Sequence, residues 1–399
     1  MRIAGIIAEY DPFHKGHQAH IAATRAQDGG HATHVVAVIS GNFTQRGEPA
    51  LIDKFHRAEM ALDNGADLVL ELPIPWAMAP AESFAAGGVA ILNALGCIDV
   101  LSFGSECGDI ATLQRLADLP QHSEFQNTLR QMLSTGIPYA AAGQMAATTL
   151  LGEEAAAHLS TPNNTLGIEY IRAATLQNAN WMYFTLQRKG TLHNESAPKQ
   201  GFASASLIRE RIRENKLDEA LQFMPTASAA ILKNAFESNH TAVCTHPLEI
   251  ALLAHLRRMH EEDFLHLPWL SEGIENRLYN ASRTAESYSD LLTEAKTRRY
   301  PMARLRRVLW SALLGIDATD CAGLPPYIRV LGMNARGREI LNAASPTLPL
   351  LTRTAQLKDL DARCNRIFAL ECAATDLHAL CMPHPLPCGR DHTQKMIVK

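Results

Sequence analysis

His14 and His17, in the run His14-Lys15-Gly16-His17, are the side chains whose type and spacing most directly suggest chemistry. They stand three residues apart at what reads as the first turn of a helix, where such neighbours share a face. Each can donate a hydrogen bond to a phosphate oxygen. The unpaired N–H groups and the dipole at the same helix end also favour negative charge. Just before them, the apolar run Ile3–Ala8 reads as a buried parallel strand, and Asp11-Pro12 as the turn that ends it. A surface turn could carry two histidines by chance. Here apolar run, turn, His-x-Gly-His and helix occur in the order that a phosphate site requires.

Four more runs read as core strands: Val35–Ser40, Asp67–Leu72, Val100–Ser105 and Trp181–Leu186. Helical patterns separate them at His17–Arg25, Lys54–Asn64, Pro80–Leu95 and a longer stretch, Ile110–Leu151. This alternation is expected to give an α/β fold with a doubly wound parallel sheet. Ligands bind such sheets beyond the carboxyl ends of the strands, where strand order reverses. Glycine, proline and polar residues collect after all five runs: Glu9–His17, Gly41–Ala50, Pro73–Trp76, Gly104-Ser105-Glu106 and Arg188-Lys189-Gly190. Together they favour a nucleotide crevice.

Several residues near these ends carry two readings. The Gly41–Ala50 loop is long for its position; it is expected to move over a substrate, with Arg46 meeting an anion or pairing with Glu48. Gly104 is expected to let the backbone approach an adenine or ribose, or is simply a turn glycine. In Pro162-Asn163-Asn164, one asparagine is expected to cap a helix and leave the other for a ligand. Arg188 suits phosphate with its planar fork, or pairs with Glu169 or Glu195. Ser204, Ser206 and Arg209 open a further helix, where the two hydroxyls can serve as caps.

The chain has 399 residues, enough for two or three domains. No apolar run approaches the roughly 18 residues that cross a bilayer. The sequence enters a strand at once with no signal segment, so a cytoplasmic location is expected. Eight cysteines are scattered without a CxxC pair and are expected to be reduced thiols. Zinc at Cys381, Cys388 and His392 is disfavoured by the spacing and the absence of a second pair, and no metal site is expected. The net charge of −4 excludes a polycation, so nucleic-acid binding would need a local basic patch.

From about Asn215 the strand signal stops. Helical patterns run through Thr226–Phe236, Pro247–His260, Ile274–Asn280, Tyr288–Lys296, Ala303–Leu314, Tyr327–Ala344 and Leu357–Asp376. The expected division is therefore residues 1–214 and a mainly helical 215–399, with a mobile tail after Met382. The segment Lys296–Arg307 supplies a basic patch through Lys296, Arg298, Arg299, Arg304, Arg306 and Arg307, without an acid. Such density suits a phosphate backbone; the alternative is a solvated helix face whose arginines pair with acids elsewhere. Arg336-Gly337-Arg338 could extend the patch.

The His-x-Gly-His stretch resembles the HxGH signature of HIGH-type nucleotidyltransferases, Rossmann-like enzymes that direct attack on a nucleotide α-phosphate and release pyrophosphate. Ser204, Ser206 and Arg209 loosely match their second signature. More narrowly, GIIAEYDPFHKGHQAH, VAVISGNFTQRGEPA, DLVLELP, SFGSECGD, PNNTLGIEY, QRKGTLHNE, SASLIR, RRYPMARLRRVLW and PYIRVLGMNARGREIL resemble the tRNA(Met) cytidine acetate ligase family up to about Ala374. That family usually has Asn where Asp11 and Lys15 stand; here a negative and a compensating positive charge are expected beside the phosphates.

The resemblance implies an ATP-dependent ligase. Acetate attacks the α-phosphate of ATP, giving acetyl-adenylate and pyrophosphate. The acetyl group then passes to N4 of the wobble cytidine of elongator tRNA(Met), giving N4-acetylcytidine. It implies catalytic His14 and His17. It implies ATP contacts from Ile7, Ala8, Glu9, Tyr10, Asp11, Pro12, Phe13, His14, Lys15, Gly16, His17, Gln18, Ala19, His20, Gly104, Asn163 and Arg188. It implies RNA contacts from Arg298, Arg299, Arg304, Arg306 and Arg307. Magnesium is expected with ATP; acetate and tRNA are the expected partners, with neither membrane nor DNA. Two other readings stay open. A small-molecule adenylyl- or cytidylyltransferase would be shorter and lack the arginine-rich helical half. An inactive RNA-binding protein on this fold would not need His14, Gly16, His17 and Arg188 intact.

Overall fold

The apolar runs become strands because each is too short for a buried helix, and the first four are sealed on both faces, as central parallel strands are, while the fifth is a half-buried edge. In the computed structural model, which describes residues 1–137, 139–188, 201–271, 273–297 and 300–399, they build one eight-stranded sheet. Lys189, Gly190, Glu195, Arg298 and Arg299 lie outside the described residues. The strands are β1 (Ile3–Ala8), β2 (His34–Ser40), β3 (Leu68–Leu72), β4 (Val100–Ser105), β5 (Met182–Gln187), β6 (Ile328–Met333), β7 (Leu350–Leu351) and β8 (Ile397–Val398). Their order is β5-β4-β1-β2-β3-β6-β7, with β8 also on β6. The first five are parallel, with Ile7 beside Val38 and Gly5 beside Leu101. Order therefore reverses between β1 and β4, and their carboxyl ends open the crevice of a doubly wound sheet. Helices cover both faces over two apolar layers. One is built on Trp76, Phe84 and Leu92, the other on Tyr10, Phe13, Phe55 and Leu207.

The second half departs from its expectation. Tyr327–Ala344 is a strand followed by a helix. β6 lies antiparallel to β3, Asn334 accepts the Gly337 N–H at 3.0 Å, and the helix is Ala335–Ala343. A six-residue stretch that is apolar but for Arg329 fits either period; the open edge of β3 decides for strand. The tail is also docked. β8 pairs with Gly332 and Met333, and Lys399 reaches Glu59 at 2.8 Å. The stretch Ile110–Leu151 is three helices, Ile110–Asp118, Ser123–Ser134 and Tyr139–Leu151. Pro120 and Gly136, the latter at φ +83°, sit at the breaks. Helix Ala362–His378 starts later than expected, where Asp361 caps it through Cys364 N–H at 2.7 Å. No helix among the described residues is long and apolar enough to cross a membrane.

Candidate functional site

His14 is the N-cap of the Lys15–Arg25 helix, extended at φ −128° and ψ 173°. Its Nδ1 accepts the Gly16 N–H at 3.0 Å, and the His17 Nδ1 accepts the His14 N–H at 3.2 Å. This is a reciprocal capping box with imidazoles in place of the usual hydroxyl and carboxylate. It stacks the rings 3.6 Å apart at 19°. It also assigns their tautomer, since an accepting Nδ1 leaves the proton on Nε2. Each ring thus keeps one N–H for a ligand and has no second lone pair to offer. Gly16 is required here because a Cβ would sit 2.8 Å from the His14 ring.

The rings stay neutral. Burial, then Arg188 and Arg209, push His14 down to about 3. Burial, then His14, Arg188 and His20, push His17 well below its usual value. Burial and Arg188 bring His20 down to about 4. One guanidinium thus acts on all three histidines, which places Arg188 at their side of the crevice.

The other residues of the Ile7–His20 stretch divide by role. Ile7, Tyr10, Pro12 and Phe13 are buried, while Ala8 and Ala19 are half-buried. Tyr10, at φ 52°, packs edge-on to Phe13 and His17, each 4.8 Å away. Asp11 accepts the Leu51 N–H at 2.8 Å and faces Arg209 at 3.3 Å. Arg209 also donates to the Asp11 carbonyl at 2.5 Å, and Ser204 caps its helix through Leu207 N–H at 3.2 Å. The charge expected to compensate Asp11 therefore comes from Arg209. Lys15 is exposed and donates to the Gln222 carbonyl at 2.6 Å. Gln18 bonds Asn64 at 3.2 Å, and His20 bonds Ser102 at 2.9 Å.

Across the crevice the expected asparagine cap is absent. The Pro162–Leu176 helix is capped by the carboxylate of Glu106, directly after β4, which accepts Asn163 N–H at 3.2 Å and Asn164 N–H at 2.7 Å. Glu106 also accepts the Asn163 side-chain amide at 2.6 Å, and the Asn163 Oδ1 accepts from Arg188 at 3.1 Å. Burial alone would raise the Glu106 carboxyl, but these donors hold it lowered. Because a carboxylate only accepts, it fixes which way the Asn163 amide points and hence what Arg188 meets. Asn164 is fully buried and turned inward, accepting Glu106 N–H at 2.9 Å. Arg188 makes no ion pair with described residues, and Glu169 faces Arg172 at 3.5 Å. Gly104 is open towards Arg188, whose Cγ lies 3.5 Å from where a Cβ would stand.

The Gly41–Ala50 loop is anchored rather than poised to move. Phe43 and Pro49 form a bridge, and Ala50 carbonyl meets His378 at 2.7 Å. Asn42 holds Lys54 N–H at 2.7 Å and Thr375 at 3.1 Å. Gly47, at φ +70°, lies so close to Arg307 that a Cβ would be 2.6 Å from its nitrogen. The basic segment joins here. Arg306 pairs with Glu48, Arg307 donates to the Gln45 carbonyl at 3.1 Å, and Arg304 to the Trp269 carbonyl at 3.0 Å. These three half-buried arginines thus have protein partners. Arg57 is fully buried and was not expected. It donates to the carbonyls of Ile52 at 3.0 Å, Glu9 at 2.6 Å, Ser40 at 3.0 Å and also Gly41, and so ties the ends of β1 and β2 together. Nothing local in the sequence marks Arg57; Glu106 had only its place after a strand.

Residues 1–392 match the family described as HIGH nucleotidyl transferase. A relative from Acetivibrio thermocellus named tRNA(Met) cytidine acetate ligase is 35% identical, covering 100% of both chains. One of the same name from Caldanaerobacter subterraneus is 37% identical over 95% of each. The crystal structure of Thermotoga maritima TmcAL (apo, form I) superposes with a TM-score of 0.94 at 32% identity, covering 100% of this chain and 99% of that one. The form bound with alpha-thio ATP gives 0.91 at the same identity and coverage.

Proposed function

Because this chain belongs to the tRNA(Met) cytidine acetate ligase family of HIGH nucleotidyl transferases, we propose that its crevice joins acetate to ATP and delivers the acetyl group to N4 of the wobble cytidine of elongator tRNA(Met). The observation that carries this reading is the imidazole capping box. It presents two neutral Nε2–H donors and a helix N-terminus beside Arg188, where charge grows on the phosphates. Acetate oxygen forms a bond to the α-phosphorus and pyrophosphate leaves; in-line displacement needs positioning and charge stabilisation, not a protein nucleophile. The adenylate then reacts with the cytidine amine. Magnesium is the natural counter-ion of the triphosphate. Among the described residues no group of three His, Cys, Asp or Glu side chains could hold it, so its ligands would be phosphate oxygens and water.

ATP and tRNA as substrates put this chemistry in the cytoplasm. Residues 1–214 are proposed as the ATP-handling half and 215–399 as the RNA-carrying half. Within the latter the arginine segment keeps its RNA role. Arg306 and Arg307 are pre-oriented by Glu48 and the Gln45 carbonyl, Arg304 by the Trp269 carbonyl and the Ser271 hydroxyl, and all three remain part-exposed. The grip of Arg306 and Arg307 on the Gln45–Glu48 turn links any RNA contact to the loop beside the crevice.

Incubating the protein with ATP, acetate and tRNA is expected to release pyrophosphate only when acetate is present, and to yield N4-acetylcytidine by nucleoside mass spectrometry. Release indifferent to acetate would mean another acceptor. Glu106→Gln is expected to weaken ATP binding about ten-fold, on the order of 1.4 kcal/mol, because an amide no longer dictates the Asn163 orientation. Calorimetric titration with ATP measures it; unchanged affinity would reduce Glu106 to a helix cap.

A further inference from the structure

We propose that Glu9 accepts the proton of the cytidine N4 amine as that amine attacks the acetyl carbonyl, an assignment that rests on the ligase reading above. Three carboxylates stand around the ends of β1 and β4, and two are fully engaged. Asp11 is bonded by Leu51 N–H at 2.8 Å and faces Arg209 at 3.3 Å. Both oxygens of Glu106 accept from Asn163 and Asn164. Glu9 is different. Its Oε1 accepts the Gln45 N–H at 2.6 Å, and its carbonyl is held by Arg57 at 2.6 Å, so the group is fixed. Its Oε2 has no hydrogen-bond partner among the described residues and is not sealed from solvent.

The histidines cannot take this proton. Each Nδ1 already accepts a main-chain N–H, and each Nε2 carries hydrogen. The amine needs a base because its lone pair is delocalised into the ring, and attack leaves an acidic, positively charged nitrogen. In the step, the N4–carbon bond forms and the carbon–oxygen bond to the phosphate breaks. The electron pair leaves with AMP, and the N4 proton passes to Glu9 and then to water. The groups facing Glu9 come from every element around the crevice. They are Asp11 on its own turn, Arg46 on the Gly41–Ala50 loop, Arg57 on the Lys54–Asp63 helix, Tyr170 on the Pro162–Leu176 helix and Arg209 on the Ala205–Arg213 helix. Burial first, and Asp11 after it, raise the Glu9 carboxyl against the pull of the Gln45 amide, Arg209 and Arg46, which makes it a better base than an ordinary carboxylate.

Glu9→Gln keeps the acceptor for Gln45. Two rates are measured at several pH values: acetate-dependent ATP–pyrophosphate exchange, and single-turnover transfer from preformed acetyl-adenylate to tRNA. Transfer is expected to fall at least a hundred-fold further than exchange. The native transfer rate should rise with pH through the titration of Glu9, and the variant's should not. Equal losses in both rates would overturn the proposal and leave Glu9 as a binding group. Unimpaired transfer would overturn it in favour of proton loss to solvent. A native protein that forms adenylate yet transfers nothing to tRNA overturns the ligase reading itself, and the proposal with it.

Discussion

Replacing His17 by Asn is expected to slow adenylate formation by about two to three orders of magnitude while the protein stays folded. Asn Oδ1 can stand close to the position of the imidazole Nδ1 and continue to accept the His14 N–H, so the helix keeps its cap. What is lost is the Nε2–H that we propose meets the phosphates. His17→Ala removes both, and should additionally lower stability by about 1 kcal/mol through the missing cap. Acetate-dependent pyrophosphate exchange and a thermal melt separate the two effects; an unchanged exchange rate in either variant would make His17 a purely structural residue. The pH dependence is a second check. Burial and Arg188 keep both rings neutral in the free protein. An imidazolium mechanism would lose kcat/KM for ATP as pH rises through 6.5, whereas neutral donors keep it level there. Stability runs the other way. A histidine with a lowered folded value binds its proton more readily when unfolded, so stability is full above about 6.5 and declines as pH falls below it.

Lys54→Met is expected to destabilise the fold by about 3–5 kcal/mol, the usual consequence of leaving buried carboxylates without their cation. Lys54 is fully buried, with Nζ 2.6 Å from Glu71, 2.8 Å from Asp391 and 3.5 Å from Glu371. Arg329 faces Glu71 at 2.7 Å and Asp391 at 2.6 Å. Burial, then the Glu71 charge, push the Glu371 carboxyl well up, and the two cations each face both Glu71 and Asp391. These residues come from β3, β6, the Lys54–Asp63 helix, the Ala362–His378 helix and the tail, and their cluster bolts the second half onto the sheet beneath Gly41. Urea denaturation measures the loss. Adding Glu71→Gln to Lys54→Met should recover part of it, because the remaining Arg329 then faces a single charge. A double variant as unstable as the sum of the singles would refute the charge balance.

How far the sequence could be read follows from the range of each interaction. β1, β2, β3 and β4 were legible because burial on both faces leaves a continuous apolar run, the half-buried edge strand β5 because its run is aromatic and apolar, and the helix at His14 because its cap lies within four residues. β6 was not, since Ile328–Met333 has no period that excludes a helix until β3 is beside it. The tail looked mobile because its Pro and His composition says nothing of Asp391 finding Lys54 and Arg329. Asn163 was singled out for its type. That its amide is oriented by Glu106 depends on a residue 57 positions away.

The sequence by itself determined that a strand, a turn and a His-x-Gly-His helix start follow one another at the end of a parallel sheet. Residue spacing alone sets a local cap and a face of a helix. Only the tertiary structure decided what each group there can do. Both imidazoles are donors because each Nδ1 is occupied. Asp11 and Glu106 are engaged and Glu9 has an open oxygen. Arg306 and Arg307 of the second half grip the Gln45–Glu48 turn. Protonation, tautomer and availability are set by whatever surrounds a group, and much of that lies far away in the chain, as with Asn42 and Thr375, 333 residues apart.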